Sequence, residues 1–367
     1  MFRDLIPQYS LNLVKYSGGQ LIERLGADII ANVVLSILKG SNIRSLTEGL
    51  TQRRILMMNA SLFVTYLKGL RSYEDFTNQL NSIISTELSD NKKPRLSPNE
   101  KQYMYWFLGL TLKSIDNVAR GKDNISEYLG ELDSNLKKIS KDIENIYGPL
   151  EMQIQKNDSK VSMNWPSLLR CMLALGSQTL TIRGSEKSMY GKLFEKFVLG
   201  SVLTLLGAEY IDKDDTSKDR MVFWLSWRDD RRESDATLLI RPGYGISFDI
   251  GFIGKGNPEV VMDKLTRFES HMERGGRRNI MSTIVLIDTL ADGSRASEIA
   301  YGMGGHVVQM SGTYWVHELV KIIKEEQPYF EHPLLDMTPQ ESLMWLDNEM
   351  PKIDLEKFLT VAEFDKL

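Results

Sequence analysis

The sequence has one cysteine among its 367 residues, Cys171, and only four histidines. A single cysteine cannot form an internal disulfide bond, and it cannot build a zinc site on cysteine pairs. This scarcity fits a reducing, cytoplasmic setting, which we expect for the protein. No two histidines form the His-Glu-x-x-His pair of zinc metalloproteases, so the sequence gives no support to that class.

Long apolar runs and glycine-rich fingerprints are also missing. No apolar run approaches the ~20 residues needed to span a bilayer. The first twenty residues mix acidic and basic side chains without a long apolar core, so no signal peptide is expected. The glycines at 302–306 match neither a phosphate-binding loop nor a dinucleotide-binding fingerprint, and no Gly-x-Ser-x-Gly elbow is found.

What the chain does contain is the composition of a globular protein, with 42% hydrophobic and 26% charged residues. Its net charge of −4 argues weakly against a protein that coats nucleic acid without specificity. The net charge does not exclude a sequence-specific DNA enzyme, because local basic patches matter more for such an enzyme than the total charge.

The first part of the chain reads as helical. Apolar residues recur there at spacings of three and four, and 126–148 predicts a charged amphipathic helix with one stripe on a core. We expect a helical region over 1–160 that clamps DNA or mediates dimerisation.

The pattern changes after about residue 160, where helices alternate with short β-like runs. The expected order is helices at 167–180 and 186–208, strands at 221–227, 234–240 and 246–253, a helix from Asn257, a strand at 280–288, a helix from about Ser294, a strand at 305–310 and a helix at 313–326. This order predicts an α/β fold with a mixed β-sheet flanked by helices. We expect this core over 161–330 and a C-terminal extension over 331–367.

Two aspartates interrupt the apolar runs of a predicted β-hairpin, Asp235 in its first strand and Asp249 in its second. With the turn centred on Gly243, residue 235 pairs with 251, so the aspartates sit diagonally on one face about 7 Å apart. From there they could hold one cation. The alternative is that both are ordinary solvent-facing charges.

A third carboxylate, Glu195, borders the apolar stripe of the helix that precedes the hairpin. It could point toward the two aspartates, or it could be an ordinary boundary residue. Oxygen ligands without cysteine or clustered histidine favour a hard cation such as Mg²⁺.

The order of elements resembles that of the PD-(D/E)xK nuclease superfamily. It runs helix, three-strand meander, helix and strand, with acids on the second and third strands of the meander. Ser234-Asp235 takes the place of that family's Pro-Asp, Asp249 takes the place of its second acid, and Glu195 that of a glutamate on the preceding helix. The layout is similar to that of type II restriction endonucleases, including CfrBI-like enzymes. The resemblance implies Mg²⁺-dependent hydrolysis of double-stranded DNA at specific sites, with a homodimer matching a palindromic target.

The sequence departs from the family at one position. The family's lysine follows the second acid by two residues, where this chain has Gly251. Lys255 and Lys264 are the candidate replacements, and Lys264 on the following helix is favoured because six extended residues would carry Lys255 ~20 Å from Asp249. Either lysine could instead be an ordinary surface residue. The missing lysine therefore keeps an alternative open, a catalytically inactive DNA-binding or assembly protein on a nuclease-like fold.

Arginines in predicted loops and helices offer candidate phosphate contacts. They could equally be solvated or paired with nearby acids. They are Arg228, Arg231, Arg232, Arg274, Arg277 and Arg278 near the core, and Arg44, Arg53, Arg54 and Arg71 in the helical half.

Overall fold

The protein is an α/β chain with a mixed β-sheet flanked by helices and a helical N-terminal region, which confirms the expected fold class. The computed structural model describes residues 1–15, 26–90, 94–118, 124–156, 159–212, 215, 217–226, 234–252, 280–290, 296–302 and 305–358. Its contacts cluster into two compact units, one from the described residues of 1–16 and 49–187, the other from those of 17–48 and 188–367. The segment boundaries expected at 160 and 330 stay predictions.

Helices and strands of the described residues are numbered in chain order. The α-helices are α1 (Gln8–Val14), α2 (Ala27–Leu38), α3 (Ile43–Ser72), α4 (Phe76–Ser89), α5 (Pro98–Phe107), α6 (Leu112–Val118), α7 (Asn124–Tyr147), α8 (Trp165–Leu205), α9 (Ala296–Gly302), α10 (Trp315–Glu326) and α11 (Pro339–Glu349). The strands are β1 (Met152–Lys156), β2 (Ser159–Met163), β3 (Glu209–Tyr210), β4 (Val222–Leu225), β5 (Ala236–Arg241), β6 (Tyr244–Gly251), β7 (Ile280–Ile287) and β8 (Gly305–Gln309). Short 3₁₀ turns cover Phe2–Leu5, Pro333–Leu335, Met350–Lys352 and Glu356–Phe358. Within this described part, none of the helices is long and apolar enough to cross a membrane.

Aromatic rings fill the core of the first unit. The rings of Phe2 and Phe107 meet edge to face with centroids 5.1 Å apart, and those of Tyr66 and Phe76 do so at 5.5 Å. Gly69 in α3 makes this packing possible, because a Cβ there would lie 2.2 Å from the Phe76 ring. Such edge-to-face pairs stabilise a core beyond the apolar area they bury.

A β-hairpin in the first unit was not expected from the sequence. β1 and β2 pair antiparallel, with Met152 opposite Met163 and Ile154 opposite Val161. The signal for it was present, because apolar residues alternate with polar ones on both sides of a short polar stretch. The hairpin follows α7, the last helix before it in the helical N-terminal region.

The sheet of the second unit has the strand order β3-β4-β5-β6-β7-β8. β4, β5 and β6 form the expected antiparallel meander, and β7 and β8 continue the sheet in parallel with β6. β3 adds an edge strand of two residues that the sequence pattern did not predict. The carboxyl ends of β6, β7 and β8 consequently lie along one edge of the sheet.

The two helices expected between 167 and 208 are one continuous helix. α8 runs for 41 residues through the polar stretch that suggested a break. Pro166 lies in its first turn, where proline is tolerated, so nothing in the chain forces an end before Gly207. Gly207 has φ 83°, and the N–H of the next residue, Ala208, donates to the Leu203 carbonyl, so a glycine in the left-handed region ends the helix.

One face of the sheet packs toward α8. Phe223 and Leu238 are register partners, as are Leu238 and Ile246, and all three are buried. The ring centroids of Phe358 and Phe223 lie 6.3 Å apart, and a Cβ on Gly200 of α8 would lie 2.6 Å from the Phe358 ring. Ala236 and Leu238 of β5 and the even-numbered residues of β6 therefore face α8, and the odd-numbered residues beside them face away from it, up to the register shift after Leu239.

Arg54 was a candidate DNA contact, but its guanidinium is buried within the first unit. The residue is 6% exposed and donates to the Leu13 carbonyl at 2.8 and 2.9 Å and to the Val14 carbonyl at 2.8 Å. Its Nη1 lies 3.1 Å from Glu186 Oε1, whose residue is 1% exposed. Arg54 thus satisfies the last carbonyls of α1 and neutralises a buried carboxylate.

Replacing Arg54 by methionine is expected to lower the free energy of unfolding by about 3–5 kcal/mol, because Glu186 would keep a buried charge without its guanidinium partner. Chemical denaturation measures the loss. Arg53→Met is the matched control, since Arg53 is exposed and adjacent, and it should change the stability by less than ~0.5 kcal/mol. Equal, small effects of the two substitutions would contradict the structural role of Arg54.

Candidate active site

The hairpin of β5 and β6 brings the two candidate aspartates level with each other. Ala236 pairs with Phe248, and continuing this register by one residue sets Asp235 opposite Asp249. The expected partner of Asp235 was residue 251, so the predicted diagonal offset is wrong by two residues. The shared parity of the two positions is unaffected by a shift of two.

The cause of the shift is the shape of the turn. Arg241 pairs with Tyr244, which leaves only Pro242 and Gly243 as the loop, and the register shifts between Leu239 and Arg241. Gly243 has φ 79°, which glycine adopts without strain. This two-residue loop moves the pairing by one position from a turn centred on Gly243, and the register shift between Leu239 and Arg241 moves it by one more.

A hydrogen bond ties Asp235 directly to the strand that carries Asp249. Asp235 Oδ2 accepts from the backbone N–H of Ile250 at 2.8 Å. On its other side, the Asp235 carbonyl accepts from the Ser226 backbone N–H at 3.1 Å. The carboxylate of Asp235 therefore lies beside the peptide that follows Asp249. The sequence held no signal for this contact, because the donor is a backbone group.

Asp249 lies in the middle of the sheet. Phe248 and Ile250, its neighbours in β6, are fully buried on the α8 side, whereas Asp249 is half-buried on the other side. Its register partner in β7 is Val285, which packs in a small apolar cluster with Ala300 of α9. Strands pair with β6 on both sides, so the backbone at Asp249 has little conformational freedom.

Glu195 is half-buried on α8, and the nearby residues Phe194 and Phe197 of the same helix are fully buried. Across the described ranges, no three or more His, Cys, Asp or Glu side chains are grouped so that they could hold a metal ion. The structure thus brings Asp235 next to the Asp249 peptide but does not gather Glu195 with them into such a group. The role of Glu195 as a third ligand stays a prediction.

The two aspartates by themselves fit the donor set of Mg²⁺. This ion commonly keeps several waters and binds through one or two carboxylates together with substrate phosphates, rather than in an all-protein cage. Asp235 and Asp249 supply hard oxygen donors at one end of two paired strands. The pair therefore suits a hydrated cation that also contacts substrate.

The lysine position of the nuclease pattern is occupied by Gly251, the last residue of β6. It is buried, pairs with Ile287 of β7, and its carbonyl accepts from the Asp288 backbone N–H at 3.0 Å. The two candidate replacements, Lys255 and Lys264, lie outside the described residues. Their assignment stays a prediction.

Of the candidate DNA-contacting arginines, some lie outside the described residues and others lie within them. Those expected beside the core lie outside the described residues, namely Arg228, Arg231, Arg232, Arg274, Arg277 and Arg278. Within the helical segments, Arg44, Arg53 and Arg71 are exposed, in contrast to Arg54.

Asp288 was not among the expected site residues, although it lies at the same edge of the sheet. It follows β7 directly and its carboxylate is buried. The sequence signal was an acid immediately after a strongly apolar strand, at the carboxyl end where sites in parallel sheets are commonly found.

The comparison with known proteins points to one family. A family model described as CfrBI restriction endonuclease matches residues 27–295. The type II restriction enzyme CfrBI of Citrobacter freundii is 34% identical over 361 residues, which cover 97% of this chain and 98% of that protein. No solved structure matches. The match spans both candidate aspartates and both candidate lysines.

Proposed function

This chain belongs to the CfrBI restriction endonuclease family, and we propose that it is a Mg²⁺-dependent type II enzyme that hydrolyses DNA phosphodiesters. Asp235 and Asp249 form the active site in this proposal. Its activity as a sequence-specific endodeoxyribonuclease follows from the family. The proposal goes beyond the family in three respects: the metal is Mg²⁺, Asp235 and Asp249 hold it, and a lysine assists the reaction.

The hydrogen bond from the Ile250 N–H to Asp235 Oδ2, at 2.8 Å, is the observation that carries the assignment of the site. It fixes the orientation of one carboxylate against the backbone that bears the other. Preorganised carboxylates lose little entropy when they bind a cation and substrate, which is what a catalytic site requires.

Asp235 and Asp249 would hold the Mg²⁺ ion, and Glu195 is the third candidate ligand. When bound, the ion supplies positive charge that stabilises a phosphodiester as negative charge develops on it. The protein itself contributes the rigid hairpin that keeps the two carboxylates level. Lys264, or else Lys255, would hold the attacking water by a hydrogen bond and add positive charge near the phosphate.

Double-stranded DNA is the proposed substrate. A homodimer with twofold symmetry would present two such sites to a palindromic target, one for each strand. The exposed arginines of the helical region and the arginines near the core are candidate phosphate contacts, because the guanidinium group suits phosphate oxygens. A reducing, cytoplasmic setting is part of the same proposal.

The proposal is tested by digesting plasmid and phage DNA with the purified protein in Mg²⁺, in Mn²⁺ and in EDTA. Discrete fragments that need the divalent cation, and whose mapped ends share one short sequence, are the expected result. The 5′-phosphate expected from the family resemblance is checked by ligating the fragments directly.

The buried Gly251 in the lysine position favours the second candidate, an inactive DNA-binding protein. DNA that is retarded in a gel but stays uncut in both Mg²⁺ and Mn²⁺ would support that alternative. It would refute the enzymatic proposal for this chain.

A further inference from the structure

Asp288 has a buried carboxylate that the proposed chemistry does not use. The residue is 2% exposed, and its Oδ1 accepts from the Ser311 hydroxyl at 2.5 Å. Its Oδ2 accepts from Asn42 Nδ2 at 2.5 Å and from the Thr289 hydroxyl at 3.2 Å. Within the described part of the chain these donors are all neutral, so the carboxylate is satisfied by hydrogen bonds. A buried charge is costly unless it is well hydrogen-bonded, so this network has to stay intact.

Asn42 connects Asp288 to the start of α3. The Asn42 side-chain Oδ1 accepts from the Arg44 backbone N–H at 2.9 Å, which caps the helix, and the Asn42 carbonyl accepts from the Ser45 hydroxyl at 2.7 Å. The orientation of the amide follows from its partners, since a carboxylate only accepts and a backbone N–H only donates. One side chain therefore both caps α3 and binds Asp288.

The backbone of Asp288 joins this network to the strand of the candidate site. Its N–H donates to the carbonyl of Gly251, two residues beyond Asp249, at 3.0 Å. Its carbonyl accepts from the Ser311 N–H at 2.8 Å, just after β8. Asp288 thus holds the end of β6 to the end of β8 and to the start of α3.

We propose that Asp288 is a positioning residue of the nuclease site, which acts through Asn42, Ser311 and the Gly251 carbonyl and not as a metal ligand. The inference rests on the proposed function. Both carboxylate oxygens are engaged by neutral donors, which leaves the aspartate suited to hold segments together. By fixing the last residues of β6, it keeps Asp249 level with Asp235.

An exchange of two side chains separates positioning from direct participation. Asp288→Asn is nearly isosteric, but it leaves one side-chain oxygen for two donors, so either the Asn42 amide or the Ser311 hydroxyl loses its acceptor and faces an NH₂ group. Adding Asn42→Asp restores one donor and one acceptor, because the amide now at position 288 can donate to the carboxylate now at position 42 and still accept from Ser311. Aspartate caps a helix as well as asparagine does, so α3 keeps its cap in the double variant.

The rate of cleavage is measured under single-turnover conditions, and DNA affinity is measured with Ca²⁺ in place of Mg²⁺. Asp288→Asn is expected to slow cleavage by about 10- to 100-fold, the scale of losing a residue that orients a ligand, with DNA affinity unchanged within about twofold. The double variant should recover to within about threefold of the wild type. Asp347→Asn is the matched control, since Asp347 pairs with Lys39 at 2.8 Å on the surface of the same unit, and its rate should not change.

Two outcomes would overturn the inference while the wild type remains active. A double variant as slow as Asp288→Asn would mean that position 288 needs the carboxylate itself, and a single variant as fast as the wild type would mean that the network does not matter. A wild-type protein that cuts no DNA refutes the proposed function first, and this inference with it.

If Asp288→Asn does not unfold cooperatively, Ser311→Ala replaces it, because that change removes one donor and keeps the charge. A slower rate at unchanged DNA affinity then supports positioning, and an unchanged rate rejects it.

Discussion

Asparagine in place of Asp249 is expected to reduce DNA cleavage by on the order of 1,000-fold, the scale of removing one group that stabilises a transition state electrostatically. The substitution keeps the shape of the side chain but removes its negative charge, and an amide is a poor ligand for Mg²⁺ beside a carboxylate. β6 is paired on both sides, so the fold should be retained. Initial rates on a plasmid that the wild type cuts give the measurement.

Asp235→Asn should have a comparable effect on cleavage for the same reason. Its Oδ atom can still accept the hydrogen bond from the Ile250 N–H, so the hairpin keeps its register. The loss would therefore report on the charge and not on the fold. Thermal unfolding close to that of the wild type would verify this.

The matched control for both aspartates is Asp219→Asn, an exposed aspartate of the same unit. It should cleave at the wild-type rate. If Asp249→Asn cut DNA within about tenfold of the wild-type rate while staying folded, the active site would have to be sought elsewhere in the chain.

Methionine in place of Lys264 is expected to slow cleavage by about 100-fold or more, the range in which a single proton-transferring or water-positioning group contributes. Methionine keeps much of the apolar stem of lysine but has no charge. DNA affinity in Ca²⁺ should change little, because one lysine contributes only part of the electrostatic attraction. Lys255→Met should leave the rate within about threefold of the wild type.

The comparison of the two lysines decides the assignment. A slow Lys255→Met with a normal Lys264→Met would transfer the role to Lys255. Lys321→Met, at an exposed position of α10, controls for the loss of one surface charge. Normal rates for both candidate variants would mean that neither lysine replaces the one expected at Gly251.

Strand alternation was enough to predict the hairpin and the common parity of Asp235 and Asp249. The pairing itself depended on the turn: the two-residue loop moves the pairs by one position from a turn centred on Gly243, and the register shift between Leu239 and Arg241 moves the pairs beyond it by one more. Sequence patterns define which residues alternate, but the length of a turn depends on backbone geometry that propensities describe only loosely. The contact between Asp235 and the Ile250 N–H follows from that geometry alone.

The helix over 165–205 illustrates the same limit. A polar stretch with two glycines suggested two helices, because local propensity is weaker there. Packing of the apolar stripe outweighs such local costs, so the helix continues until Gly207. Propensity located the end correctly because a positive φ is a strong and local requirement.

The sequence by itself determined the α/β class, the meander with its two acids, and the absence of a lysine at position 251, since each depends on residue type and spacing within one segment. The tertiary structure decided which distant groups meet. It put Arg54 in a buried pair instead of on a surface, and it set Asn42 against Asp288 across 246 positions. Contacts of that kind arise from how the segments pack, and no periodicity within any one segment encodes them.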